Sequence, residues 1–254
     1  MIGRERVRAA LTNASPDRAP RDVWPLPGIH LFRKDDLKSL EAAFPMDMCW
    51  CPLADGDCQS LEYFRQPGMY TDDWGCVWQT GEPGVVGEVC RPALADWAAL
   101  EHFEPPWQTL RDRDYSYANR FCDTSERFVI SGLTAQPFER MQYLRGSATL
   151  YMDLACDTKE IRRLVGIVHE YFLAEVDSWC QTNVDGIFFQ DDWGSNRSLL
   201  ISPDQWRGLF KPLYQEYCRR IHAADKFALF HSDGHIAAIL DDLVEIGIDA
   251  VNSQ

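Results

Sequence analysis

No apolar run in this 254-residue sequence approaches the roughly 20 residues that span a bilayer, and Met1 to Arg21 has no uninterrupted apolar core of the kind a signal peptide requires. A membrane protein is not expected; a cytoplasmic one is. Basic residues are also scarce: 25 Lys and Arg stand against 39 Asp and Glu, a formal charge of −14 that repels nucleic acid and anionic membrane surfaces. No CxxC pair is present, and the nine cysteines are odd in number and follow no framework, which fits reduced thiols rather than disulfides. Cys49 and Cys51, with Cys58 nearby, form the closest group. A strand would point the first two thiols to one face, yet no second half completes a four-ligand metal site.

What is present reads as an α/β protein. With 46% hydrophobic and 25% charged residues, the chain can bury the core of one domain over residues 1–254. The strongest pattern is in the last quarter. Two strand-like runs, GIFFQ at Gly186 to Gln190 and KFALF at Lys226 to Phe230, break off into the polar clusters DDWGSN and HSDGH. Each cluster is followed by a helix-period segment, giving tandem strand, loop and helix units. In a parallel α/β barrel the loops at the carboxyl ends of the strands carry the active site. Asp191, Asp192, His231, Asp233 and His235 fall on such loops, and the chemistry is sought there.

Upstream, Ile2 to Thr12 reads as an amphipathic helix and Arg21 to Leu26 as a first strand. Pro27 and Gly28 then read as a turn, with Asp36 starting a helix to about Ala43. His30 is thereby a loop residue near a strand's carboxyl end, either solvated or touching substrate. Met46 to Cys51 reads as a second strand. Residues 70–92 are rich in Gly, Trp and β-branched residues and predict an inserted β-hairpin from Cys76–Thr80 and Val85–Cys90. Trp74 and Trp78 then either cap the barrel mouth or serve as apolar cover, and Asp73 either meets substrate or lies in a solvated turn. Helical patterns follow over Trp107 to Phe121, Thr158 to Thr182 and Ser202 to His222, with further strands at RFVISGL, GIFFQ, KFALF and IDAVN.

The late sites carry the sharper chemistry. Asp191 and Asp192, if both ionised, repel one another, which can hold a proton on one of them near neutrality; they are acid, base, outer partners of a metal, or a turn cap. His231 and Asp233, two apart at a strand end, can project to one side as two ligands of a zinc ion, or act as a hydrogen-bonded pair touching substrate.

The string ISPDQWRGLFKPLYQEYCRRIHAADKFALFHSDGHIAAILDDLVEIGIDAVNSQ, with RERVRAALTNASPDRAP at the start, resembles the uroporphyrinogen decarboxylase superfamily, which includes zinc-dependent methyltransferases acting on methylated corrinoids. The resemblance implies a (β/α)8 TIM barrel, here truncated after the sixth strand and lacking its last two βα units, so that open edges are expected to pair in a homo-oligomer. In TAQPFERMQYLRG, Tyr143 matches a position where the decarboxylase hydroxyl faces substrate; otherwise it is a half-buried helix residue. Two features of the decarboxylases are missing: an arginine-rich substrate motif, and the aspartate after the second strand, whose place Cys51 and Pro52 fill, with Asp55 and Asp57 following. At His231-x-Asp233 the methyltransferases resemble His-x-Cys, so a carboxylate replaces a thiolate and hardens the metal site.

Three functions follow as expectations. The first is methyl transfer between a corrinoid presented by a partner protein and a small-molecule thiol or other acceptor, at zinc on His231 and Asp233. The second is cofactor-free decarboxylation using Tyr143 with Asp55 or Asp191. The third is a non-catalytic binding subunit.

Overall fold

The computed structural model describes residues 1–52, 66–132 and 134–253; Asp55, Asp57 and Cys58 lie outside the described residues. Its elements begin with helices α1 (Gly3–Leu11), α2 (Pro27–Phe32) and α3 (Lys34–Ala43), then strands β1 (Met48–Trp50), β2 (Gly68–Thr71), β3 (Val77–Thr80) and β4 (Glu88–Arg91). Helices α4 (Trp107–Asp112) and α5 (Ser116–Thr124) lead to β5 (Phe128–Ile130), α6 (Pro137–Arg145), α7 (Ser147–Cys156) and α8 (Lys159–Cys180). The chain continues through β6 (Gly186–Gln190), α9 (Pro203–Leu209), α10 (Lys211–Ala223), β7 (Phe227–His231), α11 (Leu240–Glu245) and β8 (Ala250–Asn252). Among the described residues, no helix is long and apolar enough to cross a membrane.

β1, β5, β6, β7 and β8 form one parallel sheet in that order, the sequential wall of a (β/α) barrel. The helices between them cover its outer face. α8 is representative: Thr158 caps it by accepting from the Ile161 amide, and Ile161, Leu164, Val165, Val168, Phe172 and Val176 are buried along one stripe. The inner face carries Phe128, Ile130, Phe188 and Leu229, with Val7 of α1 packed among them.

The expected first strand does not form. Arg21 spends its amide on Asp47 Oδ2 (2.7 Å) and its carbonyl on the Asp47 amide (2.9 Å), and beyond it Pro25 and Pro27 lack the donors a ladder needs. Trp24 instead lays its ring on the inner face, against Trp50, Phe188 and His231. Pro27 and Gly28 do not make a turn. They open α2, because proline suits the first helical position, and His30 is therefore an exposed helical residue.

Two long helices are broken where the pattern ran on. Pro212 cannot donate to the Gly208 carbonyl, which separates α9 from α10 at Phe210. Between α4 and α5, Asp114 accepts from the Ser116 amide (2.8 Å) and restarts the chain as a new helix.

The expected hairpin forms between β3 and β4, and β2 pairs with β3 to extend it to a three-stranded antiparallel sheet. Trp74 and Trp78 are buried as apolar cover. Trp74 packs on Tyr171 and Phe172 of α8, and Trp78 on Tyr70 and on Tyr143 of α6. Asp72 holds this turn together, accepting from the Trp74 and Cys76 amides, the Trp78 indole and Arg140.

Candidate metal centre

The loops after β6 and β7 are stitched to each other by backbone. The Asp191 amide donates to the His231 carbonyl (3.1 Å), the Gly194 amide to the Asp233 carbonyl (3.1 Å), and the His235 amide to the Ser195 carbonyl (2.8 Å). Their closest approach is between Gly194 and Gly234. A Cβ on Gly194 would lie 2.3 Å from the Gly234 carbonyl carbon, and Gly234 has φ +79°, so neither position admits a side chain.

This stitching brings three side chains together. His231 Nε2 lies 3.5 Å from Asp233 Oδ1 and 3.7 Å from Asp192 Oδ1, and one ligand atom from each residue falls within 4.8 Å of the others. Asp192 is held by the Asp233 amide, which donates to its Oδ1 (2.9 Å). His231 Nδ1 lies 2.8 Å from Asn252 Oδ1, a pairing set by the register that places His231 beside Asn252 on β8. Asparagine oxygen only accepts, so Nδ1 carries a proton, and Nε2 is the ring nitrogen that faces the two carboxylates. Two carboxylates set this close together repel unless positive charge lies between them. Asp233 Oδ1 is moreover buried with no hydrogen-bond partner. One imidazole nitrogen and two carboxylate oxygens, with a fixed tautomer and an orphaned acceptor, fit a divalent ion that keeps positions open for other ligands.

Asp191 turns the other way. It is fully buried, its oxygens accept from the Phe138 (2.9 Å) and Glu139 (2.7 Å) amides at the start of α6, and the Tyr214 hydroxyl donates to it. Burial and the nearby Glu139 charge raise its pKa against these donors. Its place is that of an anchor for the α6 amino end, and its coupled carboxylate is Glu139 rather than the adjacent Asp192.

Glu139 itself was not anticipated from sequence. Tyr143 donates its hydroxyl to Oε1 (3.1 Å) and Gln190 its amide to Oε2 (3.3 Å). Burial first, and the Asp192 charge second, push its carboxyl up to about 7. The Tyr143 hydroxyl is thus committed to Glu139, and burial and that carboxylate raise its own pKa. A signal for Glu139 did exist, in an acidic residue between Pro137-Phe138 and Arg140 just past a strand end. For Asn252 the signal was its place at a strand end in register with His231.

The remaining expected residues lie elsewhere. Trp74 is buried against α8, and Asp73 is exposed and accepts from Thr109 (3.2 Å). His30 borders an open cleft of about 770 Å³ with Trp24, Trp50, Cys51 and Trp179, which meets the triad only through Trp24. His235 is exposed and borders a separate cleft with Tyr151 and Arg197.

A family model described as uroporphyrinogen decarboxylase (URO-D) matches residues 79–253. Among solved structures, a methyltransferase from Methanosarcina mazei superposes with a TM-score of 0.70 at 16% identity, over 99% of this chain and 75% of its own. A likeness at that identity is one of fold. No curated protein matches the chain.

Proposed function

The chain belongs to the uroporphyrinogen decarboxylase family, and from that premise we propose that it transfers a methyl group between a corrinoid presented by a partner protein and a small-molecule thiol or other acceptor. The observation that carries this reading is the convergence of Asp192, His231 and Asp233 on one point at the ends of adjacent strands. These three residues would hold a zinc ion, which when bound supplies Lewis acidity to the acceptor. Asn252 fixes the His231 ring so that Nε2 points inward. Trp24, with its ring centre 4.7 Å from that of His231, shields the imidazole from water on the inner face.

The site's charge weighs against a polycarboxylate porphyrinogen. Asp192, Asp233 and Glu139 face the same region, and Arg140, the cation beside Glu139, is already paired with Asp72 at 2.9 Å. Of the groups that cofactor-free decarboxylation would use, those among the described residues are engaged, Tyr143 with Glu139 and Asp191 with α6, and Asp55 lies outside them.

Metal analysis of purified protein tests the reading. Roughly one zinc per chain is expected, as a three-ligand catalytic site takes, together with methyl transfer from methylcobalamin to 2-mercaptoethanol and loss of both in His231→Ala. A metal-free protein that decarboxylates uroporphyrinogen would replace this reading with the decarboxylase. One that binds a corrinoid protein and turns nothing over would make it a binding subunit.

A further inference from the structure

One buried carboxyl stands beside the triad without belonging to it. Glu139 is 9% exposed, on the first turn of α6, and both of its oxygens are engaged, by Tyr143 and Gln190. Gln190 offers more than that bond. Its own Oε1 is buried and has no partner, and the β6–β7 register sets it directly beside His231, so the two side chains leave neighbouring strands on the same inner face. An acceptor buried in this way is satisfied only by a donor arriving from outside the chain. The groups around it decide which donor fits. Asp192 faces Glu139 from the loop after β6, Asp191 lies at the root of α6, and Tyr143 and Arg140 flank it on its own helix, with Arg140 bound to Asp72. A cluster of acceptors and carboxylates repels an anion and favours a neutral or cationic molecule carrying O–H, N–H or S–H.

We propose that Glu139 and Gln190 form the subsite for the methyl acceptor: Gln190 Oε1 receives a hydrogen bond from the acceptor's protic group, and the Glu139 carboxylate takes its proton. This rests on the methyl-transfer reading. As the acceptor heteroatom's lone pair bonds to the methyl carbon, the bond from that carbon to its carrier breaks, with the electron pair left on the carrier. The heteroatom's proton passes to Glu139, so charge and atoms balance with no further reactant. Burial, the largest cause, raises the Glu139 carboxyl above the ordinary carboxylate range, as suits a group that takes a proton.

The test uses the zinc-loaded full chain with methylcobalamin and 2-mercaptoethanol across pH. Wild-type kcat/KM is expected to rise with pH along one limb as the Glu139 carboxyl ionises. Glu139→Gln should lose about 10²- to 10⁴-fold and that limb of the profile, and Glu139→Asp should recover part of both. Gln190→Leu should raise KM for the thiol more than it lowers kcat. An infrared difference titration of wild type against Glu139→Gln reads the same proton without turnover. Methyl transfer or its pH limb unchanged in Glu139→Gln, or no carboxyl band titrating with that limb, overturns this inference alone. No transfer by the zinc-loaded wild type overturns the methyl-transfer reading and this inference with it.

Discussion

At the amino ends of the parallel strands, Asp47, Asp185 and Asp249 each stand one residue before a strand, and each accepts a backbone amide from the neighbouring segment, those of Arg21, Val129 and Ala228. Arginines complete the first two: Arg6 and Arg18 on Asp47 at 2.6 Å, Arg4 and Arg8 on Asp185 at 3.0 and 2.7 Å. At the carboxyl ends, Asp192 and Asp233 face one histidine, 3.7 and 3.5 Å away, and no arginine or lysine completes them among the described residues. One end is a saturated clasp and the other an acceptor cluster short of positive charge. Carboxylates saturated with donors hold a fold together; carboxylates with acceptor capacity to spare hold a place for something else.

The comparison breaks most visibly at the clasp. Asp47→Ala leaves two arginines facing an empty site and is expected to lower stability by about 3 kcal/mol, the low end for a broken buried pair because Arg18 is partly solvated. Denaturant midpoints check this, and a loss near zero would mean the clasp is ornamental. Burial works against the Asp47 charge, but Arg18, the Arg21 amide and Arg6 outweigh it and hold its carboxyl below the ordinary range. A depressed carboxylate contributes above its unfolded pKa, and that contribution fades as pH falls through the folded value. The wild-type thermal midpoint should therefore drop below about pH 4 more steeply than that of Asp47→Asn.

Zinc should act at the opposite end. At about a hundredfold its Kd it is expected to raise wild-type stability by about 2.7 kcal/mol, and not to do so in Asp233→Asn, as thermal shifts with and without chelator would read. Next in size is Asn252→Ala, which frees the His231 ring and should weaken zinc binding about 10- to 100-fold by calorimetry. The smallest effect sharpens the contrast most. Without metal, Asp233→Asn should change stability by no more than about 0.5 kcal/mol, since its inner oxygen has no donor to lose. A large loss there would show that the two ends are alike.

The strand-end motifs were legible because they are local. Gly186–Gln190 and Phe227–His231 form where apolar, β-rich runs meet polar clusters, and a parallel sheet delivers the loop after each run to the same rim. Helix α8 was equally plain from the helical pattern of its apolar residues over Thr158 to Thr182. Arg21 to Leu26 was misread because a run of strand-like residues does not announce that its hydrogen bonds will go to an aspartate side chain. Strand β2, GMYT, lacked the signal altogether, being mostly exposed and without an apolar alternation.

Sequence by itself settled the repeated strand and helix order, the family and the rim on which His231, Asp192 and Asp233 lie, since each of these depends on residues within a few positions of one another. Tertiary structure alone decided that Asp191 turns inward to α6 while Asp192 turns to the histidine, that Glu139 and Gln190 meet across 51 residues, and that Trp24 covers His231. Those outcomes depend on which distant donors reach each group and how much water burial removes, and neither quantity exists until the chain has folded.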